Sequence, residues 1–289
     1  MLGANTGSFR HVLKWELKMS EAPRIRIGNQ SAFSAETILE PFDFAVANGF
    51  DAFEWFPDKK GSGAGWEEAD IDAETRRCIK DRAFKHDIHL SVHAPWHANP
   101  LEPDASKRLL ESLTFATDIG ARLLNIHLYT DQGPYAYVQA IMPLIGALAD
   151  SGVRLSVENT PLTGPGDVNA FFGRLGVLAP AAVSYVGMCI DTGHANLCEA
   201  TRNDYLRFVD LLDPEVPIIH VHLHENYGDW DSHQVLFTGP ARDDISGIEG
   251  FIKRMKKRGF SGSFILEQWP ETPTLLNEAR NRLKEMIGP

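Results

Sequence analysis

The sequence predicts a single (β/α)8 barrel, and three observations carry that prediction. Eight short β-rich runs recur along the 289 residues at a spacing of roughly 30 residues, with helix-length segments between them. Within the runs, apolar and polar side chains alternate, giving one face to pack under helices and one to line a barrel. Near the C-terminal end of most runs the second face carries a His, Asp or Glu, which is where barrel enzymes keep their active sites. A doubly wound open sheet is the competing arrangement, and it accounts less well for the shared position of these end residues.

The runs cover residues 24–28, 50–56, 89–93, 123–128, 154–158, 186–191, 218–224 and 263–267. After the first, Ile38, Leu39, Phe42, Ala45 and Val46 fall at helical spacing, and Asn48-Gly49 closes the helix. Leu109, Leu110, Leu113, Ala116 and Ile119 repeat the pattern and end at Gly120. In the third strand Leu90 and Val92 oppose Ser91 and His93, and in the fourth Leu124 and Ile126 oppose Asn125 and His127. Leu155 and Val157 oppose Ser156 and Glu158 in the fifth; Met188 and Ile190 oppose Gly187, Cys189 and Asp191 in the sixth. In the seventh, Val221 and Leu223 oppose His220, His222 and His224, and in the eighth Phe264 and Leu266 oppose Ser263, Ile265 and Glu267.

Composition excludes several classes. With 43% hydrophobic and 23% charged residues, the chain is neither disordered nor a coiled coil. A net charge of −11 argues against nucleic acid or anionic lipid as an overall partner, although a local basic groove would override it. Cys78, Cys189 and Cys198 form no CxxC pair, so neither a disulfide framework nor a cysteine zinc site is expected, and the thiols read as reduced and intracellular. No run reaches the roughly 18 apolar residues of a membrane span. Arg10, His11, Lys14, Glu16 and Lys18 interrupt any signal-peptide core, so a cytoplasmic location is expected. Residues 1–22 fit no element and are expected to be a poorly ordered arm before one barrel domain at 23–289.

The strand ends point to a metal. His93, His127, Glu158, Asp191, His222 and Glu267 come from six different strands. Several carboxylates are costly to bury together unless a cation compensates them. Imidazole with carboxylate suits zinc or manganese, and carboxylates also suit magnesium. Two local motifs add ligands. In Asp191-Thr192-Gly193-His194 a tight turn at Gly193 returns an imidazole to the mouth. Asp231-Ser232-His233 follows the seventh strand, in a loop with Gly228. Nine ligands exceed the needs of one ion, so the expected cofactor is divalent Mn or Zn, with one to three ions.

Six segments make the pattern specific: His93-Ala94-Pro95-Trp96, Asn125-Ile126-His127, Val157-Glu158-Asn159-Thr160, Ile190-Asp191-Thr192-Gly193-His194-Ala195, His222-Leu223-His224-Glu225-Asn226 and Ile265-Leu266-Glu267. In these the sequence resembles the xylose-isomerase-like barrel superfamily, which includes sugar isomerases, epimerases and the endonuclease IV enzymes. The resemblance implies a metal quartet of Glu158, Asp191, His222 and Glu267. It implies that His93, His127, His194, Asp231 and His233 complete a set similar to the trinuclear site of endonuclease IV. Glu54 resembles the strand-two acid of the sugar-isomerase branch. The chain departs from the pattern at Glu225, where many relatives have Asp, and at Gly239-Pro240-Ala241, which replaces a Gly-x-Gly.

The expected function is a metal-dependent isomerase or epimerase of a small sugar or hydroxy-carbonyl compound. Glu158 and Glu267 would be catalytic, one removing a proton beside the carbonyl and the other returning it through a metal-stabilised enediolate. Glu54, Trp96, Asn159 and His194 would bind the substrate, with Trp55 and Phe56 adding to an apolar wall. The alternative is an endonuclease IV-like zinc phosphodiesterase acting at abasic sites in DNA, which the nine ligands favour. The mouth loops argue against it. Lys59 and Lys60 are followed by Glu67, Glu68, Asp70 and Asp72, and the loop after strand seven holds Glu225, Asp229 and Asp231. DNA contacts need Lys or Arg there. A carbohydrate-like small molecule is therefore the expected partner, nucleic acid is not favoured, and no membrane is expected. A barrel that binds metal without turnover is a third reading, which the intact acids and histidines do not favour.

Overall fold

The computed structural model describes residues 24–31, 35–60, 62–63 and 65–288; the expected arm at 1–22 lies outside them. Eight strands, β1 (Arg26–Gln30), β2 (Ala52–Trp55), β3 (His89–His93), β4 (Leu123–His127), β5 (Arg154–Glu158), β6 (Val186–Asp191), β7 (Ile218–Leu223) and β8 (Ser263–Leu266), pair in chain order and close into a barrel. Every pairing is parallel, including β8 with β1. Around them lie α1 (Glu40–Ala47), α2 (Ala73–Lys85), α3 (Ala105–Ile119), α4 (Gly133–Leu148) and α5 (Pro165–Leu178). The circuit finishes with α6 (Thr192–Leu197) and α7 (Tyr205–Leu211) after β6, α8 (Ser246–Lys257) and α9 (Thr274–Ile287). The helix expected to end at Gly120 does so, with that glycine in the left-handed region at φ 72°.

Strand parity sorts the side chains as the alternation predicts. Phe53 and Trp55 of β2 point outward into an aromatic cluster with Phe42, Trp66 and Phe115. Trp55 is therefore core and forms no part of a substrate wall; the same alternation that sends Glu54 inward sends Trp55 out. Truncating such a fully buried aromatic to Ala typically costs about 3–5 kcal/mol. Register brings ligand candidates side by side, with His127 opposite Glu158 and Asp191 opposite His222.

One strand is shifted from its expected place. β1 runs over 26–30, two residues later than the apolar run suggests. Asn29 and Gln30, beyond the end of that run, are buried inside the strand. Gln30 has its reason in its neighbours: its amide donates to Glu267 Oε1 (3.0 Å) and Glu54 Oε1 (3.4 Å).

The opposite end of the barrel supplies a pH-dependent term. Burial, with Arg122 and Arg26 nearby, holds the His89 imidazole down to about 3, well below its ordinary 6.5. Below pH 6.5 the unfolded chain takes up a proton that the folded chain refuses, so stability falls as pH drops from about 6.5 toward 3. In metal-free protein, the urea midpoint is expected to fall less between pH 7 and pH 5 in His89→Gln than in wild type. Equal falls would remove His89 from the account.

Candidate metal centre

Four of the nine ligand candidates converge at the C-terminal end of the barrel. Glu158 and Asp191 end β5 and β6, His222 lies near the end of β7, and Glu267 directly follows β8. His222 Nδ1 lies 2.6 Å from Glu267 Oε2, 3.3 Å from Glu158 Oε2 and 3.9 Å from Asp191 Oδ2. All four side chains are buried. His93 and His127 close on the same carboxylate, with His93 Nε2 3.2 Å from Glu158 Oε2 and His127 Nε2 3.6 Å from Oε1.

These atoms crowd one another without satisfying one another. Glu158 Oε1, Glu267 Oε2 and both ring nitrogens of His222 are buried and have no aligned hydrogen-bond partner. Buried polar groups in proteins are almost always bonded. Lone pairs that converge off-axis share a target between them, and the donor set of imidazole and carboxylate fits a divalent cation. Metal-free, protons take over part of that balance. Burial alone would raise the Glu158 carboxyl, but His222 and His127 outweigh it and hold it well below the carboxylate range. Burial opposes charge on His222, yet Cys189, Glu267 and Glu54 push its pKa up. Metal binding would displace such protons.

The other candidates form an outer group. Asp191 caps α6 by accepting from the His194 backbone N–H (2.6 Å), which turns the His194 ring back over the mouth. His194 Nδ1 lies 3.2 Å from Glu158 Oε1, and its Nε2 lies 3.2 Å from Asp231 Oδ2. His233 Nε2 approaches the same Asp231 oxygen at 3.2 Å. His233 takes a positive φ of 45°, a strained conformation for a residue with a side chain, of the kind that clusters at functional sites. Against burial, the bond to Asp231 pushes the His233 imidazole up to about 9.

His224, seen in the strand pattern but not counted as a ligand, belongs here. Its Nε2 lies 3.1 and 3.2 Å from the two Asp191 oxygens. Two groups, Asp191 with His194 and His224, and His224 with Asp231 and His233, each bring three ligand atoms within 4.8 Å of one another. The rings of Trp269, His233 and His224 form a stack, with centroids 4.3 and 4.1 Å apart. Gly193 presses on His224: a Cβ there would stand 1.9 Å from His224 Cε1. Gly193→Ala is therefore expected to displace His224 and destabilise the fold by about 1–3 kcal/mol, the usual cost of overpacking. Thermal melts of the metal-free variant check this, and an unchanged midpoint would contradict it.

The expected substrate contacts separate. Trp96 is 58% exposed on the rim and lines the cavity above the ligands, as do Phe56 and His194. Asn159 is fully buried and does not face that cavity; its carboxamide joins β5 to β6 by bonding both backbone groups of Asp191 (2.9 and 3.0 Å). Glu54 is also fully buried and sits beneath the ligands, against His220 and His222. Asn125, which donates to Glu158 Oε2, and Ser156, which donates to Asn125, are further interior residues. Their inward parity was the available signal. Glu225 and Gly239-Pro240-Ala241 explain each other. The Glu225 carboxylate accepts from the backbone N–H of Gly239 (2.8 Å) and Ala241 (3.0 Å), so the longer acid is held by the altered loop.

The cavity has a volume of 590 Å³. Of the ligand candidates, His93, His127, His194, Asp231, His233 and Glu267 line it, while Glu158, Asp191 and His222 do not; its wall includes Phe56, Trp96, Tyr129, Leu162 and Trp269. Among the described lining residues the only Lys or Arg is Lys60, whose Nζ is 3.8 Å from Asp58. Lys59 is held by Glu67 (2.9 Å) and Asp70 (3.1 Å). Among the described residues no helix is long and apolar enough to cross a membrane.

Comparison with known proteins agrees with this architecture. The family described as the xylose isomerase-like TIM barrel matches residues 42–286. The uncharacterized protein MJ1311 of Methanocaldococcus jannaschii is 25% identical over 214 residues, 65% of this chain. The match covers 66% of MJ1311, just under two thirds of its length. The crystal structure of a D-tagatose 3-epimerase-like protein superposes with a TM-score of 0.70 at 18% identity, covering 91% of this chain and 97% of that one. D-psicose 3-epimerase from Clostridium cellulolyticum H10 also gives 0.70, at 12% identity, covering 92% of this chain and all of its own. At these identities the structural likeness is one of fold.

Proposed function

Because the chain belongs to the xylose isomerase-like TIM barrel family, we propose that it is a divalent-metal-dependent isomerase or epimerase of a small polyhydroxylated carbonyl compound. The observation that carries this reading is the meeting of two carboxylates, Glu158 and Glu267, at His222, with Glu267 lining an aromatic-walled cavity whose one lysine faces an aspartate. The epimerase names of the structural neighbours support the substrate class.

In this reading Glu158, Asp191, His222 and Glu267 hold the cation. When bound, the metal supplies polarisation of the substrate carbonyl and offsets the negative charge that develops beside it. Glu158 and Glu267 exchange the proton at the neighbouring carbon, one as base and the other as acid. The aromatic wall packs against the C–H face of the substrate. The test is exchange in heavy water: incubating candidate ketoses with manganese-loaded protein is expected to place deuterium on the carbon next to the carbonyl. No incorporation from any ketose would contradict the reading.

One observation favours a second reading, phosphodiester hydrolysis by two or three ions. His127, His194, Asp231 and His233 gather beyond the quartet, and multinuclear sites activate water and stabilise a leaving oxygen. The shortage of basic residues at the mouth disfavours DNA. Nicking of abasic-site DNA that falls steeply with salt, with no deuterium incorporation, would reverse the order of the two readings.

A further inference from the structure

We infer that Glu54 is the positioning residue for His222, fixing which ring nitrogen of that imidazole faces the metal. The inference rests on the metal reading above and goes beyond it to a residue that touches neither substrate nor cation.

Glu54 sits on β2 with its carboxylate wholly inside the barrel, 0% exposed. Its Oε1 lies 2.8 Å from His222 Nε2, and its Oε2 lies 2.8 Å from His220 Nε2. Ser91 Oγ donates to Oε2 at 2.9 Å, and Gln30 Nε2 reaches Oε1 at 3.4 Å. The carboxylate is thus held from β1, β3 and β7. The two ends of the His222 ring therefore meet different surroundings. Glu54 is the carboxylate at Nε2, while Nδ1 faces the carboxylates of Glu158, Glu267 and Asp191; Cys189 and His220 also bring ligand atoms within 4.8 Å of the ring.

A neutral imidazole binds metal through one nitrogen and carries its proton on the other. A carboxylate at the far nitrogen keeps the proton there, orients the ring and makes the near nitrogen a better ligand. Glu54 stands at that nitrogen within hydrogen-bond distance (2.8 Å), off the axis of its N–H. His220 supports the arrangement: its ring lies 5.2 Å from that of His222 at 74°, and its Nε2 occupies the second Glu54 oxygen. With both oxygens engaged, the carboxylate cannot swing away from Nε2. The strand-two acid accordingly reaches any substrate only through His222.

The test uses the full chain loaded with zinc. In nitrogen-15 spectra of histidine-labelled wild type, His222 is expected to carry its proton on Nε2 and to coordinate through Nδ1. The opposite tautomer would overturn the inference without any variant. In chelator competition, Glu54→Gln is expected to bind zinc about 10–100-fold more weakly, with Glu54→Asp recovering part of the loss. His220→Gln, which removes one holder of the second Glu54 oxygen and leaves Ser91 on it, is expected to lose less than Glu54→Gln. If Glu54→Gln melts normally without metal and binds zinc within twofold of wild type, Glu54 is not the positioning residue. If wild type binds no zinc, the metal reading itself fails, a result distinct from that one.

Discussion

Glu158→Gln and His222→Ala are each expected to remove most of the bound divalent metal and nearly all of the thermal stabilisation that metal confers. Glu158 has the most ligand partners in the mouth: His93, His127, His194 and His222 all approach its two oxygens between 3.2 and 3.6 Å. An amide keeps its size but gives up the charge that offsets a cation. At a metal concentration about 100-fold above the dissociation constant, wild type gains roughly 2.7 kcal/mol. Each kcal/mol moves the melting temperature by about 2–4 °C for a domain of this size. Elemental analysis and paired melts with and without metal read the effect. Wild-type metal content in both variants would contradict the assignment.

Glu267→Gln separates chemistry from binding. Glu267 stands at the edge of the ligand group, lines the cavity and is partnered by Gln30 and His222. Burial would raise its carboxyl, but His222 and His233 override that and hold it well below the carboxylate range, so the unbound group is an anion. An amide cannot accept a proton. Deuterium incorporation is expected to fall by about 10²–10⁴-fold, the usual contribution of a positioned acid or base. Part of the metal is expected to remain on Glu158, Asp191 and His222. Wild-type exchange in this variant would show that Glu267 carries no proton.

The barrel was legible because parity and spacing are local properties. Ser91, Asn125, Ser156 and His220 all point inward as the alternation requires. The ligand set was legible as a convergence, because barrel closure turns separate strand ends into one mouth. Less legible were positions that depend on contacts across the barrel. Gln30 pairs by its backbone opposite Glu54 on β2 and turns its side chain to Glu54 and Glu267, residues far along the chain. Resemblance set Glu54 against the substrate, but the depth of an inward side chain depends on barrel stagger, which no single strand reveals. Trp55 as wall was an error that parity alone corrects. His224 was visible on the ligand face, yet its approach to Asp191 depends on Gly193 leaving room for its ring. The placements of Asn159 and Trp96 likewise turn on loop paths beyond the strands.

Anomalous diffraction from crystals grown with manganese or zinc, recorded at the metal's absorption edge, tests the central claim most directly. The expected result is a peak within about 2.0–2.2 Å of ligand atoms from Glu158, Asp191, His222 and Glu267. A second peak beside Asp231, with His194 and His233 turned toward it, would extend the centre to the outer group. A metal-soaked crystal with no peak at the quartet, its side chains hydrogen-bonded to one another instead, would contradict the account.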